Sequence, residues 1–355
     1  MDSDNFNFLK ELVEAPSPSG FEQPAQRVFR EHTGPFVDSL ETDVMGNVMG
    51  RIDAADADAA KVMLAGHCDE IGFMVKYIDE NGFLFFAPIG GVDSHLVPGQ
   101  RVSVHTATGS IRGVVGKKPI HLMEAKERAV VVQFKDQYID IGCADKDSAE
   151  ALVSVGDPMT FSVGLERLQG ERVTSRAFDD KMGAWIVARV LQEISKKRPP
   201  VNFFGVSTVQ EEIGLRGAAT SSYGIDPDVG IAVDVGFSSD APGLEMKEIG
   251  ELRVDKGPII ARGANINPVL FSLLVETAKE EQIPYQISGM PRATGTDANV
   301  IQLARSGVAA ALVSVPLRYM HSPSEVLSLN DLGNTVRLLT AVVYKISDRN
   351  MFIPN

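Results

Sequence analysis

Cysteine is scarce in this chain. Cys68 and Cys143 are the only two among 355 residues. That is too few for a disulfide framework or an all-cysteine zinc site, and it suits a reducing compartment. Long apolar runs are missing as well, since none approaches the roughly 18 residues that a bilayer span requires. Basic charge is outweighed: 34 Lys and Arg stand against 47 Asp and Glu, a formal net charge of −13. This balance argues against nucleic acid or an anionic membrane as the main partner. The opening stretch MDSDNFNFLKELVEAPSPSG has neither the basic start nor the apolar core of a secretory signal, so a cytoplasmic location is expected. Internal repeats and long low-complexity tracts are also absent, DAADADAA at 53–60 being a short acidic loop.

What is present reads as an ordinary globular chain, 44% hydrophobic and 23% charged, long enough for two domains. Apolar residues at helical spacing over 5–15 stop at PSPSG, and a second helix is expected over 22–32 with Pro24 in its first turn. Short strands are expected at 37–42 and 47–52, followed by a buried strand at 62–65. From 73 to 163 the texture changes to short alternating runs separated by glycine, such as FMVKYIDENGFLFF, RVSVHTATGSIRGVV and AVVVQFKDQYIDIG. A short helical pattern at 145–153 is the one interruption, and the segment reads as a small inserted β-barrel or sandwich. After Glu166 the α/β pattern returns. It comprises the helix KMGAWIVARVLQEISKK behind Asp179 and Asp180, then the strands VNFFGVSTV and VGIAVDVG. Helices at 268–281 and 297–305 follow, the second capped by Thr296, with the strand PYQISG between them; a strand at 308–315 and a closing helix at 330–347 complete the chain. The expected organisation is therefore an α/β catalytic domain from 1–72 and 164–355, interrupted by a β-rich insert at 73–163.

Four strand-like runs end in chemistry-bearing groups: His67 after VMLAG, the pair Glu211 and Glu212 after VNFFGVSTV, Asp234 in VGIAVDVG, and His321 beyond 308–315. Asp179 and Asp180 open a helix. Open α/β sheets gather ligands at the carboxyl ends of their strands, so these groups should share one rim. Two imidazoles among several carboxylates suit a pair of divalent transition ions screened by a bridging carboxylate. Such pairs polarise a carbonyl and acidify a shared water, and one carboxylate must stay off the metals to carry the proton. Read from the residues alone, the set is His67, Asp179 or Asp180, Glu211, Glu212, Asp234 and His321, and which carboxylate bridges stays open.

The motifs GHCDEIG (66–72), KKPIHLM (117–123), IDIGCADKDSAE (139–150), FDDKMG (178–183), VQEEIGLRGA (209–218), DVG (234–236), TGTDAN (294–299) and RYMHSPSE (318–325) run in order along nearly the whole chain. In these the sequence resembles the M42 family of metallo-aminopeptidases, which includes the tetrahedral and glutamyl aminopeptidase-like proteins. The resemblance implies a two-metal exopeptidase acting on short peptides, with a mixed-sheet catalytic domain and an inserted small β-barrel-like domain. It implies that His67 and Asp234 hold one metal, that Glu212 and His321 hold the other, and that Asp179, not Asp180, bridges them. Glu211 is then the general base and Asp69 the group that orients His67. It further implies two divalent ions per subunit, zinc or cobalt with manganese tolerated, and self-association into a homododecamer built from dimers. On this reading the insert serves assembly and access, and contributes little to the metal chemistry.

Two rival readings carry less. An endoglucanase-type glycoside hydrolase needs carboxyls on opposite flanks of a sugar bond, which the adjacent Glu211 and Glu212 do not easily straddle. A non-catalytic peptide- or metal-binding scaffold is the other, and it would be favoured if a ligand or the base were missing. His32, His95 and His105 read as surface or structural residues, Cys68 as a small buried group, and Trp185 as core. His121 has no role assignable from physics. Arg292, just ahead of TGTDAN, would favour acidic first residues if it reached the substrate pocket; facing solvent it would do nothing.

Overall fold

The computed structural model describes residues 1–354. In chain order the strands are β1 (Ser39–Thr42), β2 (Val48–Ile52) and β3 (Lys61–His67). Next come β4 (Gly72–Ile78), β5 (Leu84–Ile89), β6 (Arg101–Thr106), β7 (Gly109–Lys117), β8 (Gln137–Asp140) and β9 (Pro158–Phe161). They are followed by β10 (Glu166–Arg167), β11 (Arg172–Ser175), β12 (Asn202–Thr208) and β13 (Val229–Phe237). The last four are β14 (Ile259–Gly263), β15 (Gln286–Met290), β16 (Ala309–Leu317) and β17 (Glu325–Ser328).

Eight of these form one mixed sheet in the order β1-β2-β12-β3-β13-β16-β14-β15. The central four, β12, β3, β13 and β16, run parallel, whereas β2 and β14 join them antiparallel. Parallel strands are covered on both faces and so read as continuous apolar runs. The VNFFGVSTV and VGIAVDVG strands fit that pattern. One face packs against the helices Ser3–Glu14, Gln23–Thr33, Phe178–Ser195, Pro268–Glu280 and Leu329–Val343 in a single large core. The other face meets the helix Arg216–Ile225 and the short turn of helix Ala298–Ile301. At Gly66 a Cβ would come within 2.5 Å of the Gly183 backbone. β3 and the Phe178–Ser195 helix thus approach backbone to backbone, which brings His67 beside the Asp179–Asp180 pair.

The insert closes as a six-stranded barrel, β4-β5-β8-β7-β6-β9, and closure removes the exposed sheet edges that an open insert would carry. Its core is its own, with Phe73 edge-on to Phe86 and to Phe161 at 5.2 Å in each case, among Val75, Leu84, Val102, Ile139 and Met159. The fold is α/β with a barrel insertion, as the sequence pattern implies.

Some local expectations need correction. The helix expected at 297–305 is only Ala298–Ile301, and its N-cap is Asp297 with no side-chain cap bond; the Thr296 hydroxyl meets Thr294 at 3.1 Å instead. The pattern at 145–153 yields a helix only over Lys146–Glu150, capped by Asp145. A small antiparallel sheet, β10-β11-β17, escaped the sequence reading. Among the described residues no helix is long and apolar enough to cross a membrane.

Candidate metal centre

The strand ends do converge. Two groups of donor atoms lie within 4.8 Å of one another: His67, Asp180 and Asp234, and beside them Asp179, Glu212 and His321. Asp179 joins the two groups. One of its oxygens is 3.3 Å from His67 Nε2 and the other is 3.3 Å from His321 Nε2. Among the described residues it alone contacts both imidazoles in this way. Burial opposes its charge, but the two histidines outweigh that and hold the carboxyl down at about 2. Asp180 does something different. Its Oδ2 accepts the His67 backbone N–H at 3.0 Å, and its Oδ1 is buried without a hydrogen-bond partner. The neighbours diverge because Asp179 and Asp180 lie at the head of their helix with non-helical backbone angles.

Both imidazoles are aimed from behind. His67 Nδ1 is 3.1 Å from the Asp69 carbonyl oxygen and 3.4 Å from Asp69 Oδ1, which leaves Nε2 toward Asp179 and, at 3.8 Å, Glu211. Asp69 also accepts the backbone N–H of Glu211 (3.0 Å), the N–H of Glu212 (3.1 Å) and the Ser19 hydroxyl (2.7 Å). Burial raises the cost of its charge, yet the His67 contact and these donors win and keep the carboxyl below the usual range. His321 Nδ1 donates to the Gly91 carbonyl at 2.9 Å, leaving its Nε2 for Asp179 and for Glu212 at 3.4 Å. Fixing one ring nitrogen to direct the other is the usual way a protein orients a metal-binding histidine. Gly91 lies in the insert, so the insert touches the centre directly. A Cβ there would come within 2.9 Å of His321 Nδ1.

The charge of the cluster tests whether metals fit. Burial, then repulsion from Asp234, Asp297 and Glu212 against the pull of His67, pushes Glu211 up to about 9. Burial likewise raises Asp234 well above the ordinary carboxylate value, and Glu212 to a lesser degree. Glu212 Oε1 is buried without a hydrogen-bond partner. So many acids cannot all ionise in a dry site unless cations stand among them. With two imidazole nitrogens free to face them, the donor set suits divalent transition ions.

Several supporting groups went unread in the sequence. Glu325 accepts the backbone N–H of Asp179 at 3.1 Å and that of His321 at 3.0 Å. The signal available was a buried acid four residues after His321, at the start of the apolar strand EVLS. Glu70 receives Lys181 at 2.7 Å and the Arg176 guanidinium, all three nearly or fully buried. Ser17 N–H donates to the same carboxylate at 3.0 Å. This brace ties the loop after His67 to the segment that carries Asp179. Elsewhere the structure keeps other candidates away from the centre. His32 stacks on Phe8 at 4.0 Å, His105 contacts Ser110 and Thr160, and His95 is exposed. His121 is exposed on the barrel turn Ile120–Leu122, and Arg292 is exposed. Cys68 is buried and Trp185 belongs to the core.

The family model described as M42 glutamyl aminopeptidase matches residues 46–338. The lysyl aminopeptidase of Pyrococcus furiosus is 36% identical over 345 residues, covering 96% of this chain and 97% of the relative. Among solved structures, a TET aminopeptidase from a marine-sediment Thaumarchaeota archaeon superposes with a TM-score of 0.93 at 33% identity, covering 98% of each chain. The TET1 peptidase of Pyrococcus horikoshii, which can assemble into a tetrahedron or a large octahedral shell, gives a TM-score of 0.86 at 28% identity over 96% of this chain and 100% of that one.

Proposed function

Because this chain belongs to the M42 family and is a metal-dependent aminopeptidase, we propose that it removes single N-terminal residues from short peptides, with Glu211 as general base. The observation that carries the assignment of roles is Asp179, which presents one oxygen to each of two inward-facing histidines. We assign the bridge to Asp179, one ion to His67 and Asp234, and the other to Glu212 and His321. Asp180, with its free Oδ1, is the nearest competitor for a place at the His67 ion. Zinc or cobalt fits this donor set best, and manganese is tolerated.

When bound, the two ions would polarise the scissile carbonyl and acidify the attacking water. Glu211 would accept that water's proton and pass it to the departing amine. Glu211 must be ionised to take that proton; burial and the neighbouring acids oppose this, and bound cations would favour it. Asp69 contributes by positioning: its carboxylate fixes His67 and, through two backbone N–H groups, the chain direction of Glu211 and Glu212. Glu325 does the same for Asp179 and His321. A glycosidase would have no use for the two histidines set among these carboxylates.

The same reading divides the chain into a catalytic domain, 1–72 with 164–355, and an assembly and access module, 73–163. It places the protein in the cytoplasm as a homododecamer built from dimers. A peptide with a free N-terminus should be shortened one residue at a time by metal-loaded protein, as seen by mass spectrometry. The N-acetylated peptide should stay intact, and chelation should stop the reaction. Cleavage of the blocked peptide would refute the exopeptidase reading.

A further inference from the structure

A cavity of about 830 Å³ opens from the metal centre, with Asp179, Glu211, Glu212, Asp234 and His321 at one end. Its remaining wall is mostly apolar, with Ile249, Leu252, Ile259, Met290 and Leu312 interspersed with neutral polar groups such as Asn299, and it carries no lysine or arginine. The one charged side chain on the wall away from the centre is Glu248, which is exposed and so stands at the rim. Met290, Pro291 and Ala293 line the cavity while Arg292 between them does not. Resting on the aminopeptidase reading above, we propose that this cavity receives the side chain of the N-terminal residue and selects an uncharged apolar one, of leucine or methionine size, with Glu248 at the mouth excluding acidic residues.

Desolvation and charge pairing set the order of preference. An aliphatic side chain gains by leaving water for the apolar part of the wall. A glutamate or aspartate side chain would give up its hydration with no cation to receive it, close to Glu248 and to the acids of the centre. A lysine fares better than a glutamate, because its stem can lie along the apolar part of the wall and its ammonium can reach back to the rim near Glu248. It still surrenders part of its hydration, so it ranks second. Arg292, which the sequence offered as a reader of acidic residues, is exposed and does not line the space it would have to read.

The test uses metal-loaded full-length enzyme and a series of chromogenic aminoacyl amides. Leucyl and methionyl amides should lead, lysyl should follow, and glutamyl should trail leucyl in kcat/KM by roughly 10²-fold or more. Glu248→Lys, a change at an exposed position, should raise the glutamyl-to-leucyl ratio by roughly three- to tenfold. Arg292→Ala should leave that ratio where it was. A parent enzyme that prefers glutamyl or lysyl amide overturns this inference and leaves the aminopeptidase reading standing. So does an Arg292→Ala variant that slows glutamyl cleavage selectively, or a Glu248→Lys variant with an unmoved ratio. If no amide in the series is cleaved, both the inference and the functional reading fall.

Discussion

The central sheet and the inserted barrel are both β structures with buried apolar cores, yet they serve the metal centre in opposite ways. The sheet delivers side chains: β3 ends in His67, β13 carries Asp234 near its end, and the chain leaving β12 carries Glu211 and Glu212. The barrel delivers a carbonyl, that of Gly91, which takes a hydrogen bond from His321 Nδ1. Glycine is required there because any larger residue would press on the imidazole. The sheet carries charge at its rim because backbone N–H groups, hydroxyls and histidines meet many of its acids, while Asp180 Oδ1 and Glu212 Oε1 stay without a hydrogen-bond partner. The barrel is a self-contained apolar fold that spares one loop for the site. The insert, expected to contribute little to the metal chemistry, makes one specific contact: its Gly91 carbonyl fixes the His321 ring.

That contrast can be attacked first at the brace under the sheet's rim. Glu70 is the carboxylate paired with both Arg176 and Lys181 in a buried cluster. Burial opposes the charge of Glu70, but its two cations outweigh it and hold the carboxyl low. Glu70→Gln leaves two buried cations without an anion. Lys181, whose pKa burial already lowers to about 8, can shed its proton, but Arg176 cannot. The expected loss is about 3 kcal/mol or more of unfolding free energy, measured by urea denaturation. A loss under 1 kcal/mol would mean that the brace is not what anchors the loop.

The barrel's contribution is sharpened by Gly91→Val. Its Cβ would displace the His321 ring, so activity or metal affinity at the His321 site should fall by about 10–100-fold. The thermal midpoint should stay close to that of the parent. Unchanged kinetics and metal content would restore the barrel to a bystander.

The smallest effect expected is a pH dependence that belongs to the barrel. Burial, with Arg176 and Lys181 adding repulsion against the pull of Glu70, lowers His105 to about 4 from its usual 6.5. A depressed folded-state pKa means that the neutral ring is favoured in the folded protein. Its stabilising contribution is full above pH 6.5 and drains away as pH falls toward 4. His105→Asn should lose less stability than the parent between pH 7 and pH 5, by thermal denaturation. Parallel losses would remove His105 from the account.

Much of the site was legible because parallel strands expose their function at one end. A buried apolar run that stops at an acid or histidine marks that end without any three-dimensional knowledge. The order of alternating and helical texture was enough to separate sheet from barrel for the same reason. What stayed hidden depends on contacts between distant segments. Glu325 matters because two backbone N–H groups, one of them 146 residues away, meet its carboxylate. Gly91 acts through its backbone and leaves no side-chain signature. Thr296 offered a plausible hydroxyl cap, but its partner is Thr294, while Asp297 takes the Thr208 hydroxyl from the end of β12. Asp179 and Asp180 are equivalent in text, and only a backbone that departs from helical geometry sets them to different tasks.

The central claim is that adjacent glutamates divide the work, with Glu212 holding a metal and Glu211 moving a proton. Metal content per subunit and turnover, measured together on Glu211→Gln and Glu212→Gln, test it most directly. Glu211→Gln should keep both metals and lose about 10²–10⁴-fold in turnover, the range of a general-base contribution. Glu212→Gln should lose the metal it shares with His321 and recover partly when metal is supplied in excess. Loss of a metal from Glu211→Gln while Glu212→Gln retains both would reverse the roles, and full activity in both variants would contradict the account.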